Sequence, residues 1–209
     1  MSWSKKSRSR KGYHHGNLRE ALIEAALKLI AEKGPAGFSF AEAARAAGVS
    51  PAAPYRHFED KDALLADVAM RGFEALHDRM QAAWDAGKAD PVRAFDALGR
   101  AYLDFARDDP ASYVAMFESQ LAPSDYPELN RAADAAFNVL RDAAEAAVAT
   151  LPAAGRPPAM MVALHMWSVA HGIAALFGRG DEGRRPLPMS PEALLEAATL
   201  VYFQGLKSD

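Results

Sequence analysis

The chain has 209 residues, half of them hydrophobic, which is enough for one or two compact domains with a real core. It contains no cysteine, which excludes a disulfide framework and a thiolate metal site and suits a reducing cytoplasm. The net charge of −3 is unevenly spread: residues 1–62 hold 11 Lys and Arg against 7 Asp and Glu, and the remainder holds 13 against 20.

Residues 1–16 form a basic arm. The first 19 residues carry six Lys and Arg and no acid, a pattern that suits tracking along a DNA groove or, more blandly, a solubilising tail. No apolar run follows it, so a signal peptide is not expected. His14 and His15 lack the cysteine or spaced acid of a metal site, and no metal or cofactor is expected. Asn17 is placed to cap a first helix that runs to Lys33 and ends at Gly34-Pro35. Its Leu22, Ile23, Ala26, Leu27, Leu29 and Ile30 make one apolar face. A second helix opens at Ser39, where Glu42 completes a capping box, and stops at Gly48, which suits a left-handed position.

Only Val49 separates Gly48 from Ser50, the expected cap of a short third helix with Pro51 at its first position and Pro54 at its fourth. Pro54 has no N–H to give the Ser50 carbonyl, so one bond is lost at the edge. Two short helices joined by a glycine-containing turn make a helix-turn-helix over residues 39–58. The N-terminal end of the second helix in that motif approaches base edges in the major groove. Pro51, Ala52 and Ala53 form a smooth first turn that can lie close to a groove floor and touch thymine methyls. Tyr55, Arg56, His57 and Lys61 can donate to phosphates or base edges. Lys61 starts the next helix, where a cation opposes the helix dipole, and an anion facing it would offset that cost.

Proline and glycine place the remaining helices at about residues 61–86, 91–108, 110–118, 127–151, 158–177 and 190–205. Alternating strand patterns are nearly absent and alanine is abundant, so the expected class is all-α with about nine helices. Residues 159–178 carry no Asp, Glu, Lys or Arg and are long enough to span a bilayer. They also hold His165, Ser168, His171 and Gly172 and stand alone, so a bundle helix and no membrane partner are expected. Trp167 and His171 share a helix face. They fit an effector pocket that Tyr102, Phe105, Tyr113, Met116, Phe117 and Phe137 could also line, or ordinary core packing.

The stretch "REALIEAALKLIAEKGPAGFSFAEAARAAGVSPAAPYRHFEDKDALLADV" resembles the DNA-binding domain of the tetracycline-repressor (TetR/AcrR) family of transcriptional regulators. The matching elements are "AAGVS", "YRHF" and "DKDALL". "MWSVAHGIAALF" resembles the WHG-type C-terminal domain of one subgroup. The resemblance implies an Ω-shaped homodimer on a palindromic operator in double-stranded DNA, with a small-molecule effector. It implies a DNA-binding domain over 17–77 and an effector-binding and dimerisation domain over 78–209. Ser39 would cap the second helix and touch phosphate, with Ser50 at the start of the base-reading segment. Tyr55, His57 and Lys61 would grip phosphates, and Pro51, Ala52, Ala53 and Arg56 would lie on or beside the base-reading surface. Pro54 and Phe38 depart from the family pattern, which re-aims the recognition segment and removes one polar contact.

The expected function is therefore a ligand-responsive repressor in the cytoplasm. No G-x-S-x-G, phosphate-binding loop or H-E-x-x-H motif is present, so an enzyme is not expected. The alternative is a helical interaction protein or enzyme whose helix-turn-helix no longer binds DNA.

Overall fold

The structure, a computed structural model, describes residues 18–153, 156–178 and 188–205. Every regular element among them is helical: α1 (Leu18–Lys33), α2 (Phe40–Ala46), α3 (Lys61–Gly87), α4 (Pro91–Asp108), α5 (Pro110–Glu118), α6 (Pro127–Ala149), α7 (Ala159–Phe177) and α8 (Pro191–Gly205). Two short 3-10 turns, Pro54–Arg56 and Pro123–Asp125, complete the set. The basic arm and Asn17 lie outside the described residues.

Local chemistry explains most boundaries. Ser39 accepts from the Glu42 N–H while the Glu42 carboxylate takes the Ser39 N–H, so the capping box is closed in both directions. α2 ends with Gly48 at φ +75°. The Gly48 N–H reaches the Arg45 carbonyl and the Val49 N–H the Ala44 carbonyl, each at 3.0 Å, which satisfies two orphan carbonyls of the last turn. Asp60, Asp90 and Asp109 each accept a main-chain N–H at the starts of α3, α4 and α5.

The expected third helix is where the fold differs. Residues 51–53 form a turn, and only Pro54–Arg56 is helical, as a 3-10 turn with Ala53 rather than Ser50 at its cap. The Ala53 N–H bonds the Ser50 carbonyl at 3.0 Å, and the His57 N–H bonds the Pro54 carbonyl at 2.9 Å. Proline at 54 cannot make the four-residue bond to Ser50. The segment therefore tightens into three-residue bonds, and the chain has eight α-helices among the described residues rather than nine.

Two apolar cores share α3. The first gathers Leu22, Ile30, Phe38, Phe58 and Leu64, and reaches Ala69. The second starts at Leu76 and gathers Phe95, Leu98, Phe105, Val162 and Leu195. α5 lies at the seam, where Met116 packs on both cores. A Cβ at Gly72 would come within 2.6 Å of Met116 Sδ, so glycine lets α5 settle onto α3.

α7 packs against α4, α6 and α8, burying Val162, Met166, Ala170 and Ile173. It is long and apolar enough to cross a membrane, the one such helix among the described residues. Met160, Met161, Leu164 and Leu176 remain exposed on it, and α8 adds exposed Leu200 and Val201. Gly172 lies in the middle of α7. A Cβ there would meet nothing within 4 Å in the chain.

Candidate functional site

Two places gather functional side chains. The first is the surface between α2 and α3. Ser39, Ser50, Pro51 and Ala52 are exposed there, Ala53 is half-buried, and Tyr55, Arg56 and His57 are exposed. The buried Pro54 and Phe58 bracket that trio and anchor it. Tyr55 is 64% exposed, and its ring packs edge-on against Phe40 at 5.0 Å, which seats it on α2.

Lys61 has a different setting. Its ammonium donates to the Pro35 carbonyl at 3.0 Å and the Phe38 carbonyl at 3.2 Å, above the Phe38 ring. The cost of a cation at a helix start is thus offset inside the chain, by carbonyls. An ammonium has three donors, and two are used here. Phe38, which departs from the family pattern, is buried and supports this contact.

The described cations that lack a partner all lie in the N-terminal module, which also holds the engaged Arg19, Lys33, Lys61 and Arg71. Lys28, Arg45 and Arg56 make no side-chain hydrogen bond or ion pair among the described residues, and all three are exposed in the first 60 residues. From residue 78 onward every described Lys and Arg is engaged. Arg79, Arg93, Arg100, Arg107, Arg131 and Arg141 each face a carboxylate. Lys88 pairs with Asp85, and Arg156 donates to two main-chain carbonyls.

The module is tied to α3 by ions that sequence reasoning missed. Asp67, 7% exposed, pairs with Arg19 and lies 3.3 Å from Arg71 Nε. Arg71 also grips Glu20 with both amino groups, at 2.5 and 2.6 Å. That contact holds the Glu20 carboxyl below its usual range, with burial opposing. The i, i+4 spacing of Asp67 and Arg71 was visible, but their partners on α1 were not.

The second place is in the other core. Phe117, Trp167 and His171 come together with Tyr102 and Tyr113 of the expected aromatic set. The two hydroxyls approach His171 Nδ1 at 2.8 and 3.0 Å. The Tyr113 ring stacks on the His171 ring, and Phe117 meets it edge-on at 4.9 Å. Burial lowers the His171 pKa, with Glu118 opposing. Burial is also the main cause that raises the Tyr102 pKa far above its ordinary value. Trp167 is 36% exposed and touches Phe137. Met116 stands at the seam, and Phe105 is fully buried under Arg79 rather than beside His171.

Open space there is small. A void of about 20 Å³ borders Tyr102, Trp167, Met80 and Met166, room for one water. A larger cleft of about 330 Å³ opens between α4, α7 and α8 beside Arg107, which Asp104, Asp108 and Glu192 already surround.

A small helix-turn-helix module with free cations, joined through one long helix to a larger helical core with an aromatic interior, defines a class of two-part helical regulators. The family comparison agrees. Residues 22–68 match the profile of bacterial regulatory proteins of the tetR family, and residues 95–202 match a tetracyclin repressor-like C-terminal domain. The chain belongs to the tetracycline-repressor family. It is 31% identical over 100 residues to YobS of Bacillus subtilis (strain 168), an uncharacterised HTH-type transcriptional regulator; the match covers 48% of this chain and 51% of YobS. The chain spans about half the length of the curated relatives it matches. A structure of a protein of unknown function from Rhodococcus sp. RHA1 superposes with a TM-score of 0.76 at 27% identity, covering 96% of this chain and all of that one. AibR in complex with isovaleryl coenzyme A and operator DNA shares the fold, with a TM-score of 0.68 at 18% identity, over 88% of this chain and 97% of AibR.

Proposed function

We propose that this protein is a cytoplasmic, ligand-responsive transcriptional repressor that binds a palindromic operator as a homodimer and is released by a small molecule. The observation that carries this reading is the division of the cations. Arg45, Arg56 and Lys28 stay unpaired on the helix-turn-helix module, ready for phosphates, while the larger half neutralises its own. Ser39, Ser50, Pro51, Ala52, Ala53, Tyr55, Arg56, His57 and the third donor of Lys61 form the DNA contact set. Phosphate contacts set position, and the Pro51–Ala53 turn with Arg56 lies nearest the bases. AibR, crystallised with an acyl-CoA and operator DNA, supports pairing a DNA module with an effector core on this fold.

In this reading the DNA-binding domain is 17–77 and the effector and dimerisation domain 78–209, with the two cores meeting inside α3. The effector half is of the WHG type, on the strength of Trp167, His171 and Gly172. Phe117, Trp167 and His171 wall the effector site, Met116 carries its state to α3, and Phe105 backs it from the core. The exposed apolar side chains of α7 and α8 cover each other across a two-fold axis. Gly172, open within the chain, is then free for close approach by the second copy. A ligand that favours one tilt of α3 changes the separation of the two DNA modules, and operator and ligand weaken each other by the same factor.

Selection from random duplexes tests the reading. It should enrich palindromes with half-sites roughly 34–36 Å apart. Arg45→Ala should lower the salt slope of binding by about one, and Arg56→Ala should relax sequence preference. No enrichment, or a stable monomer at micromolar protein in sedimentation, would sink it.

A further inference from the structure

Resting on that reading of the effector site, we propose the chemical class of the effector. It is an uncharged molecule with a flat apolar body and one hydrogen-bonding oxygen, held by Tyr102, Tyr113 and His171. Free acids and coenzyme A thioesters are excluded.

The groups that hydrogen-bond geometry brings together at the polar point, two phenols and an imidazole, are neutral. Tyr102 and Tyr113 bring two hydroxyls to one imidazole nitrogen, at 2.8 and 3.0 Å. A ring nitrogen offers one proton or one lone pair, so it serves one hydroxyl at a time. Hydroxyl protons rotate freely. This set can therefore re-pair around one entering oxygen and leave no polar group stranded. A carbonyl would accept from one phenol, and a ligand hydroxyl could also donate to the nitrogen.

The surroundings set the rest of the class. Phe117 and Trp167 lie 4.9 and 6.3 Å from the His171 ring, centroid to centroid, and Phe137 extends the aromatic wall. Among the described residues no Lys or Arg is in ring contact or hydrogen bond with His171. Glu118 is the one charge acting on it. Every described cation beyond residue 78 is already engaged, including Arg107 at the nearby cleft. A buried anion would meet no unengaged counter-charge among the described residues, and such burial is strongly unfavourable. A cation would need free ring faces, but the Tyr113 and His171 faces cover each other and most of the other pairs meet by their edges. The void beside Tyr102 admits only a water, so an entering ring must displace the part-exposed Trp167. Tryptophan fluorescence will report that displacement.

The test titrates full-length protein at pH 7.5 with 2-naphthol, 2-naphthoate, (2-naphthylmethyl)trimethylammonium and naphthalene. Fluorescence reports binding and operator release reports function. 2-Naphthol should bind at least tenfold tighter than the acid or the ammonium, and should release the operator. Tyr113→Phe and Tyr102→Phe should each weaken 2-naphthol about tenfold, as the loss of one neutral hydrogen bond does, and leave naphthalene unchanged. Tighter binding of the acid or the ammonium, abolished by Trp167→Ala, overturns the class and keeps the site. No binding by any probe, or binding that Trp167→Ala and His171→Phe leave untouched in folded protein, overturns the site together with the class.

Discussion

The two ends of α3 handle polar side chains in opposite ways. At the Lys61 end, Tyr55, Arg56 and His57 face solvent, and Lys28 and Arg45 of the same N-terminal module are left unpaired. Around the later turns of α3, arginines are matched to carboxylates at the surface, and the polar atoms of Tyr102, Tyr113 and His171 turn toward one another inside. A surface that meets a polyanion gains by keeping cations free for phosphates. Under the proposed effector class, the other core gains by neutralising its charges beforehand, because a desolvated lone charge is costly. The difference also explains how each region is held. The DNA module is fixed by backbone devices: a capping box, a left-handed glycine, and a proline-tightened turn. The effector core is fixed by side chains from α4, α5 and α7 that meet across space.

The largest test asks whether these two regions fold as one unit. Phe95 is 1% exposed and packs edge-on against Phe203, so Phe95→Ala should cost roughly 3–5 kcal/mol in urea unfolding. Leu22→Ala in the other core should cost roughly 2–5 kcal/mol. With α3 and Met116 shared, both variants should shift one common transition; two separate transitions would break the unity of the cores. Next is the seam itself. Gly72→Ile drives carbon into Met116 Sδ, and should cost roughly 1–3 kcal/mol by overpacking. Met116→Ala should recover part of that loss, and a double variant no better than Gly72→Ile would show that α5 is not seated there.

Asp67→Asn leaves Arg19 and Arg71 without their shared carboxylate. The loss should be roughly 1–2 kcal/mol, kept small because both arginines are partly exposed, and it should shrink in salt. An effect that ignores salt would mean that packing, not charge, joins α1 to α3. Ser39→Ala should cost about 1 kcal/mol through the lost cap. Arg56→Ala, exposed and unpaired, should change stability by under about 0.5 kcal/mol while weakening DNA binding.

Acid should separate the two regions by pH window. His171 has a folded pKa below 6.5, so the unfolded chain takes the proton first. Its contribution is complete above that pH and declines as pH falls below it. Glu42 has a folded pKa lowered from 4.5 to about 2, by the Lys33 hydrogen bond first and the Ser39 N–H next. Its contribution is complete above 4.5 and is lost as pH falls toward 2. His171→Gln should remove the first decline and spare the second, and Glu42→Gln should do the reverse; a pH profile that neither variant changes would refute both assignments.

The sequence by itself determined the helical class and nearly every helix boundary. Ser39 with Glu42, Gly48, Asp90-Pro91 and Asp109-Pro110 act within one to four residues of chain. Such signals need no tertiary partner. The tertiary structure alone decided that Lys61 turns onto the Pro35 and Phe38 carbonyls, that Asp67 meets Arg19, and that two tyrosines converge on His171. It also separated Phe105 from the cluster it was expected to join and left Trp167 partly exposed. These partners lie 23 to 69 residues apart in the chain. Whether they touch depends on how helices cross and which turn of each faces the other, and no local propensity carries that information.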